Sequence, residues 1–174
     1  MTSYLSLLRG INVSGQKIIK MQDLAELFES FGFNNVKTFL QTGNVLFDSD
    51  ETDFSKIIKI IDDGIFKELG YRVTVILRTK QELLDIVESN PFKDYDGDVK
   101  YYLSFLAEES KQTPTLPIRM NEIENEVFKI ENNNVFTVGF NVKGRYGFPN
   151  VFIEKEFGAP ATTRNWNTIL RILK

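Results

Sequence analysis

Polar and apolar positions along this chain follow two rhythms, and the switches between them mark its elements. "SYLSLLR" (3–9) alternates and runs into a polar, glycine-containing loop, which predicts a first strand. "MQDLAELFESFGF" (21–33) sets Leu24, Leu27, Phe28 and Phe31 at helical spacing, with Gly32 as the stop. "NVKTFLQTGNVLFDS" (35–49) is two extended runs around Gly43-Asn44, a hairpin or a bulged pair. "DFSKIIKIIDDGIFKELG" (53–70) gathers Ile57, Ile60, Ile61, Ile65 and Leu69 on one side and ends in Gly70. It reads as a helix in spite of Gly64. "YRVTVILRT" (71–79) is the clearest strand of all. The order β-α-β-β-α-β is the split ferredoxin-like arrangement, with helices over one face of a four-stranded sheet.

The second half is less regular. "KQELLDIVESNPF" (80–92) predicts a helix closed by Asn90-Pro91, and "VKYYLSFLA" (99–107) a strand. A polar loop with two prolines follows (108–117), then a short helix near Met120–Asn125. "EVFKIENNNVFTVGF" (126–140) is a hairpin turning at Asn132–Asn134. Two helical segments, Asn150–Phe157 and Thr163–Leu173, close the chain. The expected fold is therefore α+β: a ferredoxin-like half over residues 1–79 packed on a second α+β half over 80–174, in one compact body.

Composition narrows the chemistry more than it names it. With 174 residues, 42% hydrophobic and 26% charged, and 15 Phe to bury, the chain expects a folded, soluble state. "MTSYLSLLRG" has no basic segment before its short apolar run, and no stretch reaches the roughly 18 apolar residues of a membrane span. Zero Cys fits a reducing compartment, so a cytoplasmic location is expected. Zero Cys and zero His together remove thiol nucleophiles, Ser-His-Asp triads and zinc fingers. Acid–base work at neutral pH would fall to a perturbed Asp, Glu, Lys or Tyr, and any metal would be a hard cation held by oxygen. No metal site and no cofactor are expected. The net charge of −3 is uneven: residues 1–20 carry +3, residues 141–174 carry +4, and 21–140 carry −10. Should the two ends meet, they make a basic face on an acidic body; scattered solvated charge is the plainer reading.

Several motifs come close to known ones. In "GINVSGQKI" (10–18), Gly10 and Gly15 have phosphate-loop spacing, yet Gln16 stands where the lysine belongs and no hydroxyl follows Lys17. The turn can still offer N–H groups to an anion beside Arg9 and Lys17, or simply permit a tight loop. "DYDGD" (94–98) lacks the glycine and glutamate positions of a calcium loop and reads as a solvated turn. "KGRYGFPNVF" (143–152) is like the basic-aromatic string of RNA-recognition sheets, with Arg145 inserted and Pro149 where a central strand needs a donor. Wound as a helix, "ATTRNWNTILRILK" (161–174) places Trp166, Ile169, Leu170 and Leu173 on the core stripe. Thr162 or Thr163 then serves as N-cap, Arg164, Thr168 and Arg171 face water or an anion, and Asn165 is a buried pin at the stripe's flank.

Taken in order, "LLRGINVSGQKIIKM", "LFESFGFNNVKTFLQTGNVLF" and "TTRNWNT" resemble the hallmark segments of the bacterial domain-of-unknown-function 1697 family. The matching positions are Arg9, Gly10, Asn12, Gly15, Lys17, Met21, Gln41, Gly43, Asn44 and Thr163 through Thr168. Thr42 departs from the family's serine but keeps the hydroxyl. The resemblance implies an α+β fold with a ferredoxin-like portion and carries no activity.

The three hallmark places are the first loop, the first hairpin and the start of the last helix. They are expected to converge, with Arg9, Asn12, Lys17, Gln41, Asn44, Arg164 and Asn167 lining one polar, basic site. Arg, Asn, Gln and Gly around a helix start suit a phosphate or carboxylate. The leading expectation is a small anionic or phosphate-bearing ligand, a nucleotide or nucleic-acid backbone. The rivals are a metal-assisted hydrolase or transferase using Asp or Glu, and an interaction module whose polar groups lock subdomains together. The sequence leaves oligomeric state open.

Overall fold

The computed structural model describes residues 1–13, 15 and 17–174. Gln16, the departure from the phosphate-loop pattern, lies outside them. The described residues form five α-helices and two antiparallel sheets, an α+β protein. The chain divides into two units, Met1–Leu84 and Asp85–Lys174.

The first unit runs β1 (Thr2–Arg9), α1 (Met21–Ser30), β2 (Asn34–Phe39), β3 (Asn44–Ser49), α2 (Phe54–Leu69) and β4 (Thr74–Thr79). Its sheet has the order β2-β3-β1-β4, every pair antiparallel. Alternation puts Tyr4 and Leu8, Val45 and Phe47, and Val75 and Leu77 on one face. There they pack with Leu24 and Phe28 of α1 and Ile57, Ile61 and Ile65 of α2. Each such fully buried side chain contributes about 1.5–3 kcal/mol. The Phe47 ring lies 4.3 Å from Phe33 and 5.6 Å from Phe28, centroid to centroid.

Local chemistry sets the ends of α2. Asp53 caps it, its carboxylate accepting from the Ser55 N–H (2.9 Å) and the Lys56 N–H (3.4 Å), and Gly70 stops it at φ +74°. Gly64, the odd residue inside this helix, has a packing reason. A Cβ there would lie 2.2 Å from the Phe31 ring, so the glycine lets the end of α1 seat against α2.

α3 (Lys80–Glu88) spans the division between units. The second unit continues with β5 (Val99–Leu106), β6 (Ile118–Met120), β7 (Asn125–Glu131), β8 (Asn134–Phe140), α4 (Asn150–Phe157), β9 (Ala161–Asn165) and α5 (Trp166–Leu173). Its sheet has the order β6-β7-β8-β5-β9, again antiparallel throughout. Ile153 and Phe157 of α4 pack on Leu106, Val127, Val135 and Ala161. Phe92, Tyr101, Phe128, Phe136 and Trp166 form a linked aromatic group, with Phe92 and Tyr101 stacked at 4.6 Å.

Two sequence expectations are corrected here. The short helix near Met120–Asn125 is instead the strand β6 followed by a turn. Ile118–Met120 pairs with Asn125–Val127, so cross-strand bonds replace helical ones. The last helix begins at Trp166, not Thr163, because Ala161–Asn165 forms an edge strand against β5. Two adjacent threonines favour an extended backbone. Among the described residues, no helix is long and apolar enough to cross a membrane.

Candidate functional site

In the first unit, the loop after β1 and the turn between β2 and β3 meet at Gly43. Its φ is +72°, and a Cβ there would lie 2.6 Å from Ile11 Cγ2 and 2.9 Å from Leu8 Cβ. The Leu8 N–H donates to the Gly43 carbonyl at 2.9 Å, fixing the approach. Only glycine fits a left-handed backbone with so little room.

Asn12 closes the first loop on itself. Its Nδ2 donates to the Ile19 carbonyl (2.9 Å), and the Ile19 N–H donates to its Oδ1 (2.8 Å). Asn44 does the same work in the hairpin: buried at the start of β3, its Nδ2 donates to the Phe39 carbonyl and to Thr42 Oγ1, both at 2.9 Å. Lys17 is turned toward β4, donating to the Arg72 carbonyl at 3.0 Å, with its ammonium 5.3 Å from the centre of the Tyr71 ring. Arg9 ends β1 opposite Thr74.

What remains open is the space where α1 begins. A cavity of about 410 Å³ is lined by Asn12, Gly15, Ile18, Ile19, Lys20, Met21 and Gln41. Lys20 is the N-cap of α1, and among the described residues no side chain caps the helix. The first intrahelical bond runs from the Leu24 N–H to the Lys20 carbonyl (3.0 Å), which leaves the N–H groups of Met21, Gln22 and Asp23 without intrahelical partners. Gln41 and Lys20 are exposed and Asn12 half-buried, so amide groups, an ammonium and a helix start border one space. An adjoining cavity of about 470 Å³ shares Ile18, Ile19 and Lys20 but is bounded by Asp23 and Glu68, which disfavour an anion. Among the described residues, no group of three or more Asp, Glu, His or Cys is placed to hold a metal ion.

Arg164 and Asn167 belong to the second unit. Arg164 is not on an exposed helix face. It lies in β9, 8% exposed, donating to Thr162 Oγ1 (2.6 Å) and to the Thr163 carbonyl (3.0 Å), and burial pushes its pKa down to about 10. Asn165 is the N-cap of α5, its Oδ1 accepting from the Asn167 N–H (3.1 Å), in place of Thr162 or Thr163. Thr163 instead shares a buried 2.7 Å hydrogen bond with Ser104 and donates to Asn150 Oδ1 (2.9 Å). Trp166 is half-buried with its ring centroid 5.1 Å from that of Phe92, and the buried stripe of α5 is Ile169 and Ile172.

The structure thus brings Asn12 and Gln41 of the expected site to one cavity, and adds Lys20 and Met21. Sequence reasoning passed over Lys20, although its place directly before the first amphipathic helix was visible.

The family model of DUF1697, a protein of unknown function, matches residues 1–136 and so ends before the "TTRNWNT" segment. The structure of the conserved bacterial protein SP0830 from Streptococcus pneumoniae is similar over 99% of both chains, with a TM-score of 0.71 at 18% sequence identity, a likeness of fold alone. No curated protein matches the chain.

Proposed function

The chain belongs to the DUF1697 family of proteins of unknown function, and from that premise we propose that its first unit binds a small anionic or phosphate-bearing ligand where α1 begins. The observation that carries this reading is the cavity bounded by Asn12, Lys20 and Gln41 at a helix start that no side chain caps among the described residues. N–H groups without intrahelical partners and the positive end of the helix dipole favour an anion there, and the Lys20 ammonium adds a full charge. Asn12 and Asn44 serve this site as loop clamps, holding backbone in place, while Lys20 and Gln41 face the ligand. We infer also that the first unit is of the ferredoxin-like kind. The element order β1-α1-β2-β3-α2-β4 and the strand order β2-β3-β1-β4 support it.

Thermal-shift titration with inorganic phosphate and with adenosine and guanosine mono- and diphosphates tests the proposal. A ligand at 100 times its dissociation constant stabilises the chain by about 2.7 kcal/mol. The shift should shrink in Lys20→Ala and Gln41→Ala. No shift with any of these probes, or a shift undiminished in Lys20→Ala, overturns it.

A further inference from the structure

A second feature, in the other unit, stands independently of that cavity. Residues 141–149, between β8 and α4, form a finger closed by its own hydrogen bonds. Val142 and Arg145 bond each other's backbones, Val142 N–H to Arg145 carbonyl at 2.8 Å and the reverse at 3.0 Å. Lys143 and Gly144 make the tip with φ of +52° and +80°, and the Gly144 N–H donates to Asn141 Oδ1 (2.6 Å). Asp98 pins the base by accepting from both Asn141 Nδ2 and the Tyr146 hydroxyl. Asn125 Nδ2 donates to the Gly147 carbonyl (3.1 Å), and a Cβ at Gly147 would meet Ile123 at 2.4 Å.

This scaffold presents an unusual surface. Phe148 is 58% exposed, and its ring lies perpendicular to that of Tyr102 with centroids 5.7 Å apart. Lys143 and Arg145, in the same short segment, are exposed, and the Lys100 ammonium sits 4.3 Å from the centre of the Tyr146 ring. Residues 141–151 hold no acid, and Asp98, the carboxylate bonded to the finger, is occupied as its pin. An exposed aromatic ring with cations in the same short segment is what unpaired bases and their phosphates need: the ring stacks a base and the cations meet the backbone. We propose that the 141–149 finger is a contact site for single-stranded nucleic acid, with Phe148 as the stacking platform and Lys143 and Arg145 as the phosphate contacts. Because the finger is already ordered, binding costs little conformational entropy.

Fluorescence anisotropy with labelled oligo(U) and oligo(dT) of about 12 nucleotides, at about 50 mM salt, is the test. A duplex of equal length and phosphatidylserine vesicles are the comparison arms. Single strands should bind, and more tightly than the duplex. Phe148→Ala should weaken them about tenfold, the scale of one base–aromatic stack. Lys143→Ala and Arg145→Ala should each flatten the log–log salt slope by about 0.7. All three side chains are exposed, so melting temperatures should stay near that of the parent. Absence of single-strand binding, binding unmoved by Phe148→Ala, or equal binding of the duplex overturns the proposal. So does a vesicle response that Phe148→Ala removes while oligonucleotide binding is untouched, since Val142 and Val151, 41% and 78% exposed, would then serve a lipid surface.

Discussion

Asn12 and Asn44 in the first unit and Thr163 in the second use their polar side chains in opposite ways. In the first, amides bind main chain close by in sequence: Asn12 holds Ile19, seven residues on, and Asn44 holds Phe39, five residues back. In the second, side chains bind one another: Ser104 meets Thr163 across the sheet from 59 positions away, and Thr163 reaches Asn150 at the start of α4 at 13. The first device shapes a loop and leaves its neighbours, Lys20 and Gln41, in solvent where a ligand can reach them. The second fastens distant segments and takes its polar groups out of reach. That is why the open polar cavity of the first unit is the better binding candidate, although "TTRNWNT" looks as polar on paper.

The sharpest way to break this comparison is at Gly43, where the first unit's two loops touch. Gly43→Ala must hold an L residue at φ +72° and push a methyl to within 2.6 Å of Ile11 and 2.9 Å of Leu8. A left-handed backbone costs about 1–2 kcal/mol and overpacking about 1–3 more, so a loss of about 3 kcal/mol in urea unfolding is expected. Any phosphate-dependent thermal shift should vanish with it, because the hairpin turn carrying Gln41 is displaced. A loss below about 1 kcal/mol would mean that the two loops are not mutually fixed.

A middle-sized effect belongs to the second unit. Thr163→Val keeps the shape of the side chain and deletes the hydroxyl shared by Ser104 and Asn150. Ser104 is fully buried, so its Oγ would be left short of a partner, at a cost of about 2–3 kcal/mol in the urea midpoint with an unchanged slope. Ser104→Ala in the same background should recover part of that loss, since the orphaned group goes too. Additive losses in the double variant would show that the pair is not coupled.

The same contrast explains which parts of the molecule its sequence could reveal. α2 was readable from its stripe of isoleucines, its cap at Asp53 and its stop at Gly70, all signals contained within a few residues. The hairpin turn at Asn132 and Asn133 was readable for the same reason, both residues having φ near those of left-handed turns. β9 was not. Five residues give too short an alternation to compete with the helical stripe that follows, and their strand state rests on pairing with β5, some 60 positions earlier in the chain. Arg164 was misplaced with it: on a helix it faces water, and on the edge strand it is buried. Gly64 looked like a flaw because its justification, the Phe31 ring, comes from another helix. Within the site, Asn12 and Gln41 carried visible signals in their hallmark segments. Lys20 matters through where α1 starts and what folds beside it.

The smallest effect lies at the edge of the second unit's cross-sheet network. The Tyr95 hydroxyl donates to Glu126 Oε1 at 3.1 Å, from 31 positions away, and Glu126 also takes Arg119 at 3.0 Å. Burial first, and then the hydrogen bond to Glu126, push the Tyr95 pKa up to about 12. In the unfolded chain the phenol titrates near its ordinary value of 10. Below that pH both states hold the proton, and the stability tied to it is fully present. Between pH 10 and 12 the unfolded chain releases the proton while the folded one keeps it, so stability falls as pH rises. Urea unfolding across this window should therefore show a shallower alkaline decline in Tyr95→Phe than in the parent chain. The difference should be small, because Tyr95 is only half-buried and solvent screens the interaction. Parallel declines in the two proteins would place Tyr95 outside the network, leaving Ser104, Thr163 and Asn150 as the polar contacts that distinguish the second unit from the first.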